Sequence, residues 1–161
     1  MEYTDLQVLA EVSVALLGFS GVTAIVGHSR FAHQGVTYRM RGLLYSSSLA
    51  FFGSILPLVG IPMLPAAVVL AALNSAAVIW AGAMSFGRSR KEIQPHPVLV
   101  SIFFPIAILV NLYLWLSIFA LAEQLLIAYQ LQVGVLLLLA TVYFVRLVSS
   151  AFDTKNTSGK D

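Results

Sequence analysis

The chain has 161 residues, of which 59% are hydrophobic and 10% charged, with a formal net charge of +2. A soluble domain carries about 25% charged residues, so this composition predicts an integral membrane protein with no sizeable extramembrane domain. There is no cysteine, which excludes disulfides, thiolate metal sites and cysteine nucleophiles, and the small positive balance is no signature of nucleic-acid binding.

The first predicted span, residues 6–27, follows Thr4-Asp5-Leu6-Gln7, which has the spacing of a capping box. Its roughly 22 residues, at about 1.5 Å each, cover about 33 Å, the thickness of a bilayer core. The acidic Glu2 and Asp5 before it, and the length of its apolar run, argue against a cleavable signal peptide. A basic loop over 28–41 leads to a second span at 42–59, with Pro57 near its end. An uncharged turn, 60–65, leads to an alanine-rich third span at 66–87. A second basic loop, 88–97, precedes a fourth span at 98–120, and a short turn carrying Glu123 joins that to a fifth span at 125–148. The expected fold is all-α: an integral membrane bundle of five transmembrane helices within 1–150, with 151–161 as a short, polar, disordered cytoplasmic tail.

Lys and Arg collect in loops that stay cytoplasmic. With the N-terminus outside, Arg30, Arg39, Arg41, Arg88, Arg90, Lys91, Arg146, Lys155 and Lys160, all nine basic residues, fall inside. The outside then receives Glu2, Asp5 and Glu123. This threading requires an odd number of spans. The basic loop residues set topology and meet lipid headgroups, and Arg146 snorkels to the inner headgroups. Tyr3, Tyr113, Trp115 and Tyr129 are expected at the outer interface, whereas Trp80 fits no belt and is expected to be packed.

Polar groups within the spans are few. On the first span Gln7, Glu11, Val14, Gly18 and Gly21 recur at steps of three and four and share one helix side. Small residues let helix backbones approach closely, so Gly18 and Gly21 predict a packed face with Glu11 on it, turned to the bundle interior or to water, or, being near the helix start, reaching the headgroups or hydrogen-bonded in protonated form within the packing. On straight helices Glu11 lies roughly 7 Å from the outer boundary, Gln132 roughly 11 Å, and Asn74 and Asn111 roughly 13 Å, with Ser54 at similar depth. If these groups converge they form a polar path or ion site open to the outside; otherwise the amides are interhelical hydrogen-bonding groups. Ala67, Ala71 and Ser75 place a small residue at every fourth position of the third span, a pattern for close packing within the chain or against a second copy.

Ser46-Ser47-Ser48 is expected to bond back to helix carbonyls. Pro57 deprives the Gly53 carbonyl of its helical donor, and Pro105 does the same to the Ser101 carbonyl. His28, His33 and His96 have no metal-ligand spacing, and no cofactor is implied. Paired carboxylates, a nucleophile elbow and a nucleophile–base pair are all missing, so no enzymatic activity is expected.

Two functional readings follow. The first is a homo-oligomeric ion channel or small transporter of the plasma membrane, its polar path running from Glu11 through Gln132, Asn74 and Asn111. The second is a membrane assembly or partner-binding protein with no transport of its own, its basic loops offered to a cytoplasmic protein partner.

Overall fold

Gly60 and Pro62 mark the turn between the second and third helices and Pro97 opens the fourth, whereas Pro57 and Pro105 lie inside helices. The computed structural model describes the backbone of residues 4–28, 34–87 and 97–157, and the side chains of 4–19, 21–22, 40–80, 102 and 105–149. These residues form five α-helices and no strand: α1 (Thr4–His28), α2 (Gln34–Leu58), α3 (Met63–Gly87), α4 (Pro97–Phe119) and α5 (Leu125–Thr157). A one-turn 3₁₀ segment, Ala122–Gln124, precedes α5. α4 opens on Pro97, whose missing N–H is one that a helix start leaves unpaired in any case. The α2–α3 turn is built on Gly60, which takes a φ of +88°. The Gly60 N–H donates to the Pro57 carbonyl at 3.2 Å, and the Ile61 N–H donates to the Leu56 carbonyl at 3.1 Å. Those two bonds around a left-handed glycine make a Schellman stop.

Two helices run further than hydropathy predicts. α2 begins at Gln34, inside the expected basic loop, so Arg39 and Arg41 stand on helix. α5 continues to Thr157, which makes 151–157 helical rather than a disordered tail. Hydropathy marks only the lipid-compatible part of a helix, whereas a helix ends where a breaker intervenes. No proline follows Gln34 until Pro57, and the next glycine after residue 148 is Gly159. Residues 158–161 lie outside the described residues, as do Arg30, Arg88, Arg90 and Lys91, expected to meet headgroups.

α2 and α5 form the central pair. Among the described residues α1 packs on these two alone, on one flank; α3 and α4 pack on the other flank, with α5 touching both and α2 touching α3. Leu6 of α1 shares a core cluster with Leu49 and Ala50 of α2, Leu70 and Ala71 of α3, Leu114 of α4, and Leu125, Ala128, Tyr129 and Val133 of α5. A second cluster, Leu43, Ala140 and Leu147, fills the other end of the α2–α5 seam. The chain therefore runs up and down, with Asp5 and Glu123 at one end and Arg41 and Arg146 toward the other.

The central seam is held by a bond between a hydroxyl and a main-chain carbonyl. Pro57 has no N–H, so the Gly53 carbonyl four residues earlier lacks its helical donor. The Tyr129 hydroxyl of α5, fully buried, donates to that carbonyl. Gly53 lets the helices meet there: a Cβ on it would lie 3.1 Å from Leu70 Cδ1 and 3.3 Å from Val133 Cγ2. Nearer the other end, a Cβ on Gly42 would lie 2.7 Å from the Tyr143 ring. Tyr129 is thus a core residue, not the interfacial aromatic its sequence position implies.

The outward faces are apolar. Val12, Phe19, Phe52, Leu73, Ile79, Leu109, Leu116, Phe119, Leu138 and Val145 are all exposed. Trp80 is 54% exposed rather than packed, because the buried face of α3 runs along Ala67, Leu70, Ala71 and Asn74 instead. Met63–Trp80 and Ala122–Ser149 are long and apolar enough to cross a membrane by length and composition, and only 28% and 33% of them is buried. A core helix of a soluble protein would be mostly covered, so their apolar surface points outward. Helix hydroxyls bond back to their own carbonyls: Ser13 to Leu9, Ser46 to Gly42, Ser47 to Leu43 and Thr141 to Leu137.

Tyr129→Phe strands the Gly53 carbonyl and is expected to cost about 1–3 kcal/mol of unfolding free energy. In a Pro57→Ala background the residue-57 N–H takes that carbonyl, so the same change costs less. A double-mutant cycle by denaturant unfolding in detergent measures this coupling; equal costs in both backgrounds would contradict it.

Candidate functional site

The α3–α4 junction is organised by one hydroxyl. Ser75 donates to the Ala71 carbonyl at 2.7 Å, which commits its only proton. Its oxygen accepts from Asn111 Nδ2 at 2.8 Å and from Trp115 Nε1 at 3.1 Å. Asn111 and Trp115 are four residues apart on α4, hence on one face. Ser75 then has no bonding capacity left, and its committed proton sets the orientation of the Asn111 amide: nitrogen toward Ser75, Oδ1 away. Asn111 Oδ1 is buried and has no hydrogen-bond partner.

Two further amides stand at this level. Asn111 lies about two turns before the end of α4, and Gln132 about two turns after the start of α5, so both are roughly 11 Å along their helices from the shared connection. That connection is tightened by the Tyr113 hydroxyl, which donates to Gln124 Oε1 at 2.8 Å. Gln132 is fully buried, and neither its Nε2 nor its Oε1 has a partner. Asn74 adjoins Ser75 on α3, is buried, and leaves Nδ2 unpartnered. It stands one turn beyond Leu70, which meets Gly53 beside Val133, the residue after Gln132. Asn74, Asn111 and Gln132 thus bring three buried amides from three helices to one level. The buried polar side chains among the described residues are all uncharged.

Ser54 is also buried and near this level, but its hydroxyl donates to the Ala50 carbonyl at 2.8 Å. Ala71 lies in the main core cluster and accepts the Ser75 bond. Glu11 is not with the amides. It is exposed, 3.5 Å from Gln7 Nε2 on the same face, on a helix that among the described residues touches neither α3 nor α4. Gly18 and Gly21 share that outward side, and a Cβ on either would have nothing within 4 Å. α1 instead buries Leu6, Ala10 and Ser13, with Leu9 and Leu16 packed behind them. The packed face expected for α1 is therefore turned away from the chain's own core. Leucines offer more apolar area to α2 and α5 than glycine and glutamate do. Arg41 is exposed and Arg146 half-buried; Arg39 lies near the start of α2.

Sequence reasoning missed Trp115 as a Ser75 donor, Tyr129 as the partner of the Pro57-released carbonyl, and Gln130, whose buried Nε2 is also unpartnered. A second amide two residues from Gln132 in an apolar run was the available signal for Gln130. Among the described residues no group of three or more His, Asp or Glu side chains comes together. Compared with protein-family models, curated proteins and solved structures, the chain matches none.

The network predicts a ranking of stabilities. Ser75→Ala leaves the buried Asn111 amide and the half-buried Trp115 indole without their acceptor, a loss of about 1–3 kcal/mol for a buried donor, and is expected to lower the unfolding midpoint more than Asn111→Leu. Gln132→Met removes two unpartnered buried atoms at nearly constant shape and is expected to raise it. Midpoints of the three variants in detergent test this order.

Proposed function

We propose that the chain is a multi-pass integral membrane protein of the plasma membrane, with all five helices crossing the bilayer, and that it acts as a homo-oligomeric channel or small transporter. The observation that carries the transport reading is that Asn74, Asn111 and Gln132, at one level on three helices, are buried and keep unpartnered hydrogen-bonding atoms. A buried amide that only glues helices together pairs all its polar atoms with its neighbours; Asn74 and Asn111 each leave one atom unpartnered and Gln132 leaves both. The polar path passes through the α3–α4–α5 flank, and Glu11 is not on it.

The five-span reading is supported by helix length and surface. α1 to α4 have 25, 25, 25 and 23 residues, and about 23 residues span roughly 35 Å. Their outward side chains are mostly aliphatic or aromatic. An N-terminus outside and a C-terminus in the cytoplasm agree with Asp5 and Glu123 at one end, and Arg41 and Arg146 toward the other.

Purified protein in proteoliposomes is expected to carry a solute or ion faster than protein-free vesicles do. Gln132→Met abolishes that flux, and Glu11→Gln leaves it intact. Equal leak in wild-type and empty vesicles, across ions and neutral solutes, would remove the transport reading.

One observation favours the second reading, an assembly protein. Glu11 stands about two turns into α1 on a surface otherwise fit for lipid, and a carboxylate there is costly unless another chain covers it. If assembly is the role, Glu11→Gln changes the oligomer distribution seen by cross-linking in membranes. An unchanged distribution speaks against it.

A further inference from the structure

We infer that the buried amide site takes a small uncharged solute that both donates and accepts hydrogen bonds, of the urea, amide or polyol class, in preference to a bare ion. This rests on the transport reading above and names the substrate class of that site.

The free atoms decide the class. Asn74 Nδ2 and Gln132 Nε2 are donors; Asn111 Oδ1 and Gln132 Oε1 are acceptors. The orientation at Asn111 follows from the committed proton of Ser75. An ammonium, sodium or potassium ion stripped of water needs a shell of oxygens, and half of the free atoms here are N–H groups that repel it. Carbonyls released by helix breaks are what coordinate cations in transporters. The one that Pro57 releases beside this site, at Gly53, is already taken by the Tyr129 hydroxyl. An anion would need a positive charge nearby, and no buried side chain among the described residues carries one. Ser75 is saturated, so it orients Asn111 and Trp115 rather than binding solute itself. At Asn74, Asn111 and Gln132 the unpartnered atoms are two donors and two acceptors. Such a set is complementary to a neutral molecule that carries both kinds of group and is left unpaired by anything else.

The full chain in proteoliposomes tests this, with urea, acetamide and glycerol as neutral probes followed by stopped-flow light scattering. Potassium and proton fluxes are read by dye in the same vesicles. At least one neutral probe is expected to cross faster than in protein-free vesicles, with potassium and protons at the protein-free rate. Gln132→Met, and Asn111→Leu acting from a different helix, both return the neutral probe to the protein-free rate. Potassium or proton flux that Gln132→Met abolishes overturns the solute class and leaves the transport reading standing. Neutral flux that survives both substitutions overturns the site. Absence of any flux removes the transport reading, and binding then decides the class. In nanodiscs, acetamide is expected to shift the side-chain amide resonances of Asn74, Asn111 and Gln132, the last identified by its loss in Gln132→Met. No shift overturns the inference.

Discussion

The bundle depends on a carbonyl that proline sets free. Pro57 cannot donate to Gly53, and an unpaired carbonyl in an apolar interior is costly. Tyr129 answers it from the neighbouring helix, so a defect in one helix becomes the bond between two. Because α2 and α5 are the central pair, everything else is placed relative to that bond. α1 lies on one flank and α3 with α4 on the other. The bond also sets the height and rotation of α5, and with them the inward aim of Gln132, three residues further along.

Polar groups in this chain fall into two kinds. Hydroxyls and the indole are paired: serines bond back to their own helices, and Ser75 gathers Asn111 and Trp115 into a closed set. The remaining amide atoms are buried and open. Among the described residues every buried hydroxyl is paired, so the means to pair the amides as well were present. Leaving them open lowers stability, and such local inconsistency is where function is expected. Charges, by contrast, sit toward the two ends, with Glu11 the described exception on an outward face.

Much of this was legible in the sequence. The apolar runs, the turns between them and the carbonyl released by Pro57 all came from residue type and spacing. The inward face of α1 did not. Apolar residues surround that helix, so periodicity gives no strong direction, and the contest between leucines and small residues is settled only by the groove they enter. Tyr129 was misplaced for a related reason: aromatics near a span's end are usually interfacial, and only knowledge of the facing helix reveals a carbonyl waiting for its hydroxyl. The early start of α2 and the late end of α5 escaped because hydropathy measures what lipid accepts, not what backbone continues. The role of Ser75 was half visible, as a small residue for packing, while its saturation required its partners.

The proposed function requires that the buried amides be reachable from water while the outward face of the bundle meets lipid. The chain contains no cysteine, so single cysteines can be placed without background. Reaction with a small water-soluble thiol reagent, at Gln132→Cys, Asn111→Cys and the outward-facing Leu138→Cys in native membranes, measures that reach directly. Labelling at the first two positions and none at Leu138→Cys is the predicted result. Labelling at none of the three would mean that the amides are sealed within the packing, and labelling at Leu138→Cys alone would mean that the outward face meets water rather than lipid; either contradicts the account.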